Sequence, residues 1–349
     1  MNKYTIAEAN VELDKKDILP ILERNLEVAS SQRYDWNYEN CPNGNARCWL
    51  AKCEQSNSAV GSAALFPRKL FINGEPTYAA IAGDFAIDER HRAYGPALKL
   101  QREIQSRVND IGISFIYGVP NDRARTFFLR IGYKEIGKFK RHVKLIKTEK
   151  VPNEYLPPIL QHRIVSKAVD PVISITSKER LYKKNDKYAV EMPEYFDDRF
   201  DTFWQETSKQ FTIIGERTTQ FLNWRFKQPS GQRYDIFCIV DENKGLAGYI
   251  VYCMKENICY VVDMLFKSSE EAITSLLTEF TRHIKTKEVG AIVIRYLGNR
   301  LLEKKLKEFN FFMTKKEDAN VVIYSPSISS ESHLLDEKNW HFFIGDSDV

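Results

Sequence analysis

The sequence predicts an α/β (α+β) fold built twice, each copy a mixed sheet flanked by helices. Three observations predict it. Helical and strand periodicities interleave along the chain instead of segregating into blocks. At 349 residues the chain exceeds one usual compact domain, so two units of roughly 150 residues are expected. The punctuation of the first part then returns in the second at nearly constant offsets, the mark of an internal repeat.

Taken in order, Ile18, Leu22, Leu26 and Ala29 recur at helical spacing and predict a helix over 17–29. Residues 47–53 and 58–66 read as neighbouring strands around a turn at Gln55, Ser56 and Asn57, and 78–88 as a third, longer strand. Leu100, Ile104, Val108 and Ile111 form a helical stripe, followed by a buried strand over 113–117 and a short helix carrying Ala124, Phe127, Phe128 and Ile131. Five prolines and many charges then break periodicity, leaving a connecting segment with one strand at 172–176. The predicted organisation is a first copy over 1–146, a linker over 147–198, a second copy over 199–326 and a tail over 327–349.

The repeat can be counted. Trp36-Asn-Tyr38 is echoed by Trp224-Arg-Phe226, while Pro42-Asn-Gly44 meets Pro229-Ser-Gly231 and Gly61 meets Gly248, both at an offset of 187. Asp84 through Ile87 meets Asp263 through Phe266 at 179, and Gly112, Asn121 and Tyr133 meet Gly290, Asn299 and Phe311 at 178. Asn310 stands where Gly132 ends a helix, and Asn is the usual substitute for Gly at a left-handed helix stop. Strand-end glycines are common to α/β chains, but the Trp-x-aromatic element is not, so duplication is the preferred explanation.

A formal charge of +4, with Lys and Arg interspersed among Asp and Glu, argues against a nucleic-acid partner. The N-terminal residues lack a signal-like apolar core and no run of about 18 apolar residues occurs, so a cytoplasmic, non-membrane protein is expected. Cys41, Cys48, Cys53, Cys238, Cys253 and Cys259 form no CxxC pair and none has a zinc-spaced His; they read as reduced, buried thiols, with no metal site.

The segment most specific to chemistry is 84–97, where a strand passes through a basic, Gly-containing loop directly into a helix. The backbone N–H groups of Ala93, Tyr94, Gly95 and Ala97 would be the unpaired donors of that helix start. The dipole adds partial positive charge and Arg92 a full one, an arrangement suited to a pyrophosphate. Arg92-x-x-Gly95-x-Ala97 resembles the Arg/Gln-x-x-Gly-x-Gly/Ala signature of the GNAT acyltransferase superfamily, and Asn121 through Ala124, Phe127 and Phe128 to Gly132-Tyr133 resembles the ending of GNAT domains. These motifs span 84–133, the element order extends the likeness over about 17–146, and the whole chain is similar to tandem-GNAT proteins with a degenerate C-terminal copy.

The resemblance implies a splayed sheet in which the strand carrying Phe85, Ala86 and Ile87 offers backbone groups to pantetheine, with Asn121 and Phe128 beside that arm. It implies acetyl-CoA or another acyl-CoA as co-substrate and direct transfer to a small-molecule acceptor, an amine or amino sugar, by positioning and electrostatic stabilisation. Phe128 stands where many members carry a Tyr that protonates the leaving thiolate, and Pro96 removes one loop N–H. Asp84 is the candidate general base; its structural reading is a carboxylate paired with an Arg, which the matching Asp263 favours. Two other readings stay open. One is a non-catalytic GNAT-fold binding or scaffolding protein, which Phe128 favours. The other is a Fem-type aminoacyl-tRNA-dependent transferase, against which the retained phosphate loop argues.

In the second copy Glu271 falls against Arg92, Thr274 against Gly95 and Leu276 against Ala97, after a Ser268 or Ser269 cap. Carboxylates there would satisfy the dipole and repel a phosphate, so this copy is expected not to bind CoA. The aromatic stretch 219–226 lines an acceptor cleft or, more ordinarily, packs in the core. The tail docks as a clasp or, more ordinarily, packs Trp340 and Phe343 on the surface.

Overall fold

The computed structural model describes residues 3–92, 94–156, 178–182, 187–228, 231–314, 318–327 and 332–347; Ala93, the strand expected at 172–176, Pro229 and Ser230 lie outside them. The first half runs β1 (Tyr4–Ala9), α1 (Lys15–Asn25), α2 (Ser31–Tyr34), β2 (Arg47–Cys53), β3 (Ser58–Ile72), β4 (Glu75–Ile87), α3 (Tyr94–Arg107), β5 (Phe115–Gly118), α4 (Asp122–Arg130), β6 (Lys134–Lys138) and β7 (Lys140–Leu145). The second runs α5 (Lys178–Leu181), β8 (Ala189–Glu191), α6 (Asp198–Thr207), β9 (Ile213–Gly215), α7 (Thr219–Lys227), β10 (Asp235–Val240), β11 (Leu246–Lys255) and β12 (Ile258–Phe266). It ends with α8 (Glu270–Lys285), β13 (Ala291–Gly298), α9 (Arg300–Glu308), β14 (Phe312–Met313), β15 (Asn320–Tyr324) and β16 (Trp340–Phe343).

Within the described residues the helices and strands expected in the first half are present, with two differences. α1 stops at Asn25, because Leu26 turns to extended backbone. Leu26 and Ala29 still pack against the core that Ile18, Ile21 and Leu22 enter, so the apolar stripe outlasts the helix. β1 is an addition to that reading; among the described residues it pairs only with β2, as an edge strand with half-buried Tyr4, Ile6 and Ala9 and exposed Thr5, Ala7 and Glu8.

The correspondences between halves are geometric as well as sequential. Gly61 stands opposite Ile87 and Gly248 opposite Phe266. Asn121 and Asn299 each cap the helix that follows, and Gly132 and Asn310 end those helices at φ of 103° and 61°. Each half also lends a strand to the other. β15 lies between β5 and β6, while β7 lies between β13 and β14. The sequence boundary at 146 thus falls just after a strand paired in the other half's sheet. Lys144 of β7, 1% exposed, meets Glu179 at 3.2 Å and the Phe309 carbonyl at 2.7 Å.

The tail corrects the expectation of surface packing. Trp340 and Phe343 are 1% and 0% exposed, because β16 pairs with β13 on one side and β9 on the other, and β9 pairs with β3. One mixed sheet therefore runs through both halves.

Two buried histidines make stability depend on pH. His142, pressed by burial and by Lys140, titrates at about 4 instead of the usual 6.5. His341 is lowered to about 4 chiefly by burial, its Nε2 donating to the Met264 carbonyl at 2.9 Å. Both folded values lie below the unfolded one, so between pH 6.5 and 4 the unfolded chain binds more protons and stability falls on acidification. Each histidine accounts for up to about 3 kcal/mol over that window. Urea unfolding at stepped pH should show a shallower acid limb in His142→Phe; an unchanged limb would refute the assignment.

Candidate functional site

β4 and β5 pair in parallel only from Ala79 with Phe115 to Ile81 with Tyr117. β4 continues to Ile87 while β5 ends at Gly118, and among the described residues no other strand takes up that edge of β4. A bulge interrupts β4 here. Ala64 faces Gly83 and Ser62 faces Ala86, so Asp84 and Phe85 stand against Ala63 alone, with Asp84 at a φ of 46°. Such bulges re-aim the backbone next to sites. Ala86 and Ile87 are buried, and half-buried Phe85 stacks on Phe127 at 5.6 Å and lies 6.0 Å from Phe128. Phe128 packs against Tyr133 at 4.7 Å.

The loop after β4 is pinned to α1. Arg24 and Asn25 donate to Asp88, and their hydrogen bonds outweigh burial, lowering its carboxyl below the ordinary value. Arg92, exposed in the loop after β4, donates from Nε to the Ile87 carbonyl at 3.0 Å and from Nη2 to Asn25 at 3.1 Å. Pro96 is buried in the first turn of α3, where its missing N–H costs nothing. Gly95 is exposed, and a Cβ there would meet only Tyr4 Cε2 at 3.9 Å, leaving room over the helix start. Ala97 is half-buried against the core, and Asn121 spends its side-chain oxygen on the Ala124 N–H at 2.9 Å. Tyr94 begins α3; its side chain lies outside the described residues.

Asp84 is 7% exposed, and its Oδ2 accepts from Arg33 Nη1 and Tyr38 Oη, each at 2.9 Å. Burial, then the charge of Asp84, holds the Tyr38 phenol well above its ordinary range. Arg33 is set by the Ser30 cap on α2, and a wide π turn over Asp35–Glu39 follows. Arg33 also lines a cleft of about 700 Å³ between the halves, walled by Trp36, Arg141, Tyr155, Arg225 and Arg295. From the 219–226 stretch Arg225 and Phe226 reach this cleft, whereas Phe221, Leu222 and Trp224 are buried in the cores. Sequence reasoning missed Arg33, Arg141 and Arg295; only Tyr38, inside the repeated Trp-x-aromatic element, carried a signal.

The second half presents the same gap already filled. β12 and β13 part after Val261 and Ile294, and β16 enters, with Phe343 opposite Tyr296 and His341 opposite Gly298. A Cβ on Gly298 would lie 2.2 Å from the Trp340 carbonyl, so close an approach requires glycine. Ser269 caps α8, and its first-turn Glu270 and Glu271 pair with Lys305 and Lys187. Asp263, matching Asp84, is held by Arg217, with Tyr249 donating at 2.9 Å, and Asp346 of the tail closes over the same guanidinium.

All six cysteines are buried and free, and no described helix is long and apolar enough to cross a membrane. No protein-family model and no curated protein matches the sequence. Solved structures do. A conserved protein of unknown function from Enterococcus faecalis, described as a probable N-acyltransferase, is similar at a TM-score of 0.68 and 12% identity over 93% of this chain and 73% of that one. A GCN5-related N-acetyltransferase from Anabaena variabilis gives 0.66 and 13% over 92% and 72%. N-myristoyltransferase from Saccharomyces cerevisiae, with bound myristoyl-CoA, gives 0.55 and 11% over 100% and 85%. The chain has the GCN5-related N-acetyltransferase (GNAT) fold, a large mixed sheet flanked by helices.

Proposed function

We propose that the chain is an acyl-CoA-dependent N-acyltransferase with one CoA site, in the first half, and a small-molecule amine or amino sugar as acceptor. The observation that carries this reading is the contrast between the halves: the gap after Ile81 and Tyr117 is unpaired among the described residues, whereas its counterpart is occupied by β16. Pantetheine would lie along β4 beyond the bulge, with backbone N–H groups near Phe85 to Ile87 polarising the thioester carbonyl. The pyrophosphate would sit over the start of α3, with Arg92 at its edge. The amine would enter from the cleft at Arg33, and Asp84 would take its proton, held in place by Arg33 and Tyr38. The thiol leaves as thiolate, which a pKa of about 8.5 permits without a Tyr at position 128. Acetyl is the proposed acyl group, and duplication the proposed origin of the two halves.

Calorimetric titration with CoA and acetyl-CoA tests this. One site per chain is expected, weakened about tenfold or more in Arg92→Glu, that is, by at least about 1.4 kcal/mol, and intact in Glu271→Arg. If Glu271→Arg abolished binding and Arg92→Glu did not, the halves would be assigned the wrong way round. No binding by folded protein would sink the acyl-CoA enzyme. The burial of Phe128 against aromatic neighbours, with no hydroxyl at that position, favours a second reading, a CoA-binding protein without catalysis. CoA binding without transfer to any amine would select it.

A further inference from the structure

We infer that the cleft between the halves takes an acceptor bearing an anionic group, a carboxylate or a phosphate, and that Arg141 and Arg295 hold that group; this rests on the acyltransferase reading above. Arg295 of β13 stands directly opposite Arg141 of β7. Like charges so placed destabilise an antiparallel pair. Asp318, 3% exposed at its side chain, is shared between them, accepting from Arg141 Nε at 3.2 Å and Arg295 Nε at 3.1 Å and pairing with Arg295 Nη2. Two cations therefore share one carboxylate. Among the described residues Arg141 Nη1 is buried without a hydrogen-bond partner, a state that native proteins rarely leave unexplained.

Both side chains reach the cleft, Arg295 with 28% of its surface exposed and Arg141 with 12%. Arg141 lies over the Tyr155 ring at 5.5 Å, and the Tyr155 hydroxyl meets that of Tyr260 at 3.1 Å, so the pair sits against an aromatic wall with hydroxyls within it. Arg33, Arg225 and Lys255 also line the cleft, and Glu256 is the one carboxylate among its described lining residues. Arg33 is matched by Asp84, and Arg225 donates to the Gly345 and Ser347 carbonyls. A confined cleft with this balance concentrates anions, and the planar guanidinium fork favours carboxylate or phosphate. The volume of about 700 Å³ suits a small molecule. The amine would lie toward Arg33 and Asp84, and the anionic end on Arg295.

The test is calorimetric titration of the full chain, with and without CoA, using matched amines: γ-aminobutyrate against its amide, and glucosamine 6-phosphate against glucosamine. At least one anionic member should bind about tenfold or more tighter than its neutral partner, and which pair responds separates carboxylate from phosphate. Arg295→Met should collapse that ratio to within about twofold while CoA affinity, which also reports folding, stays unchanged. Arg295→Lys, keeping charge but losing the fork, should fall between. Equal binding of both members, no binding by either at millimolar concentration, or a ratio surviving in Arg295→Met overturns the inference. So does loss of CoA affinity in a folded Arg295→Met, which would give the arginines to CoA. Failure of wild type to bind CoA overturns the acyltransferase reading instead, and the titrations without CoA still decide this one.

Discussion

Arg217→Met is expected to lower unfolding free energy by about 3–5 kcal/mol at neutral pH, the usual cost of removing one partner from a buried ion pair. The guanidinium is 3% exposed and carries two carboxylates. It donates to Asp263 at 2.9–3.1 Å and grips both oxygens of Asp346 at 2.7 Å. Burial holds the Asp263 carboxyl above its ordinary range, with repulsion from Asp346 adding to it and Arg217 opposing. Without Arg217 the Asp263 carboxyl would rise further. A folded-state pKa above the unfolded one means relative stability that is present at low pH and lost as pH rises through the folded value. The deficit of the variant should therefore be largest at neutral pH and shrink on acidification. Urea unfolding of both proteins at pH 7 and pH 5 checks this, and adding Asp263→Asn and Asp346→Asn should restore part of the loss. A deficit below about 1 kcal/mol, the range of exposed pairs, or one growing toward low pH, would show that the triad is not the tie between tail and second half.

That triad marks what the sequence could and could not disclose. The counted spacing sets Asp84 against Asp263, and each is held by one Arg and one Tyr hydroxyl. Their surroundings were not legible, because Arg33 sits at an open cleft with 16% of its side chain exposed, whereas Arg217 is sealed by a residue from the tail. The loop at Arg92 and Gly95, the caps at Asn121 and Asn299 and the helix stops at Gly132 and Asn310 depend on neighbouring residues, so local pattern sufficed. Strand exchange has no such signal: β7 and β15 would read alike whichever sheet they joined. The tail failed for the same reason. An aromatic patch after polar residues looks like surface until a gap in the second half, visible only in three dimensions, accounts for Trp340 and Phe343. Arg141 and Arg295 likewise become neighbours only through the exchanged strand.

Trp36→Ala and Trp224→Ala should each cost about 3–5 kcal/mol, as large-to-small changes in a packed core do, and the double variant should cost less than their sum. The two rings stack at 5.0 Å, and each indole N–H donates to the other tryptophan's backbone carbonyl, at 2.9 Å from Trp36 and 3.0 Å from Trp224. Arg225 lies over the Trp36 ring at 5.4 Å and Arg68 over the Trp224 ring at 5.1 Å, so each half also supplies a cation to the other's indole. Either substitution removes one donor and leaves the partner's carbonyl unsatisfied in a buried place. The second then removes interactions that the first has already lost. A coupling of about 0.5–3 kcal/mol is expected for residues in such contact. Trp→Phe at either position, which keeps a ring but loses the N–H, should cost about 1–3 kcal/mol for the orphaned carbonyl. The set can be measured by urea unfolding as a double-mutant cycle. Strict additivity would mean that the rings merely pack side by side; strong coupling would make this reciprocal pair, read from a repeated Trp-x-aromatic element, one joint between the halves.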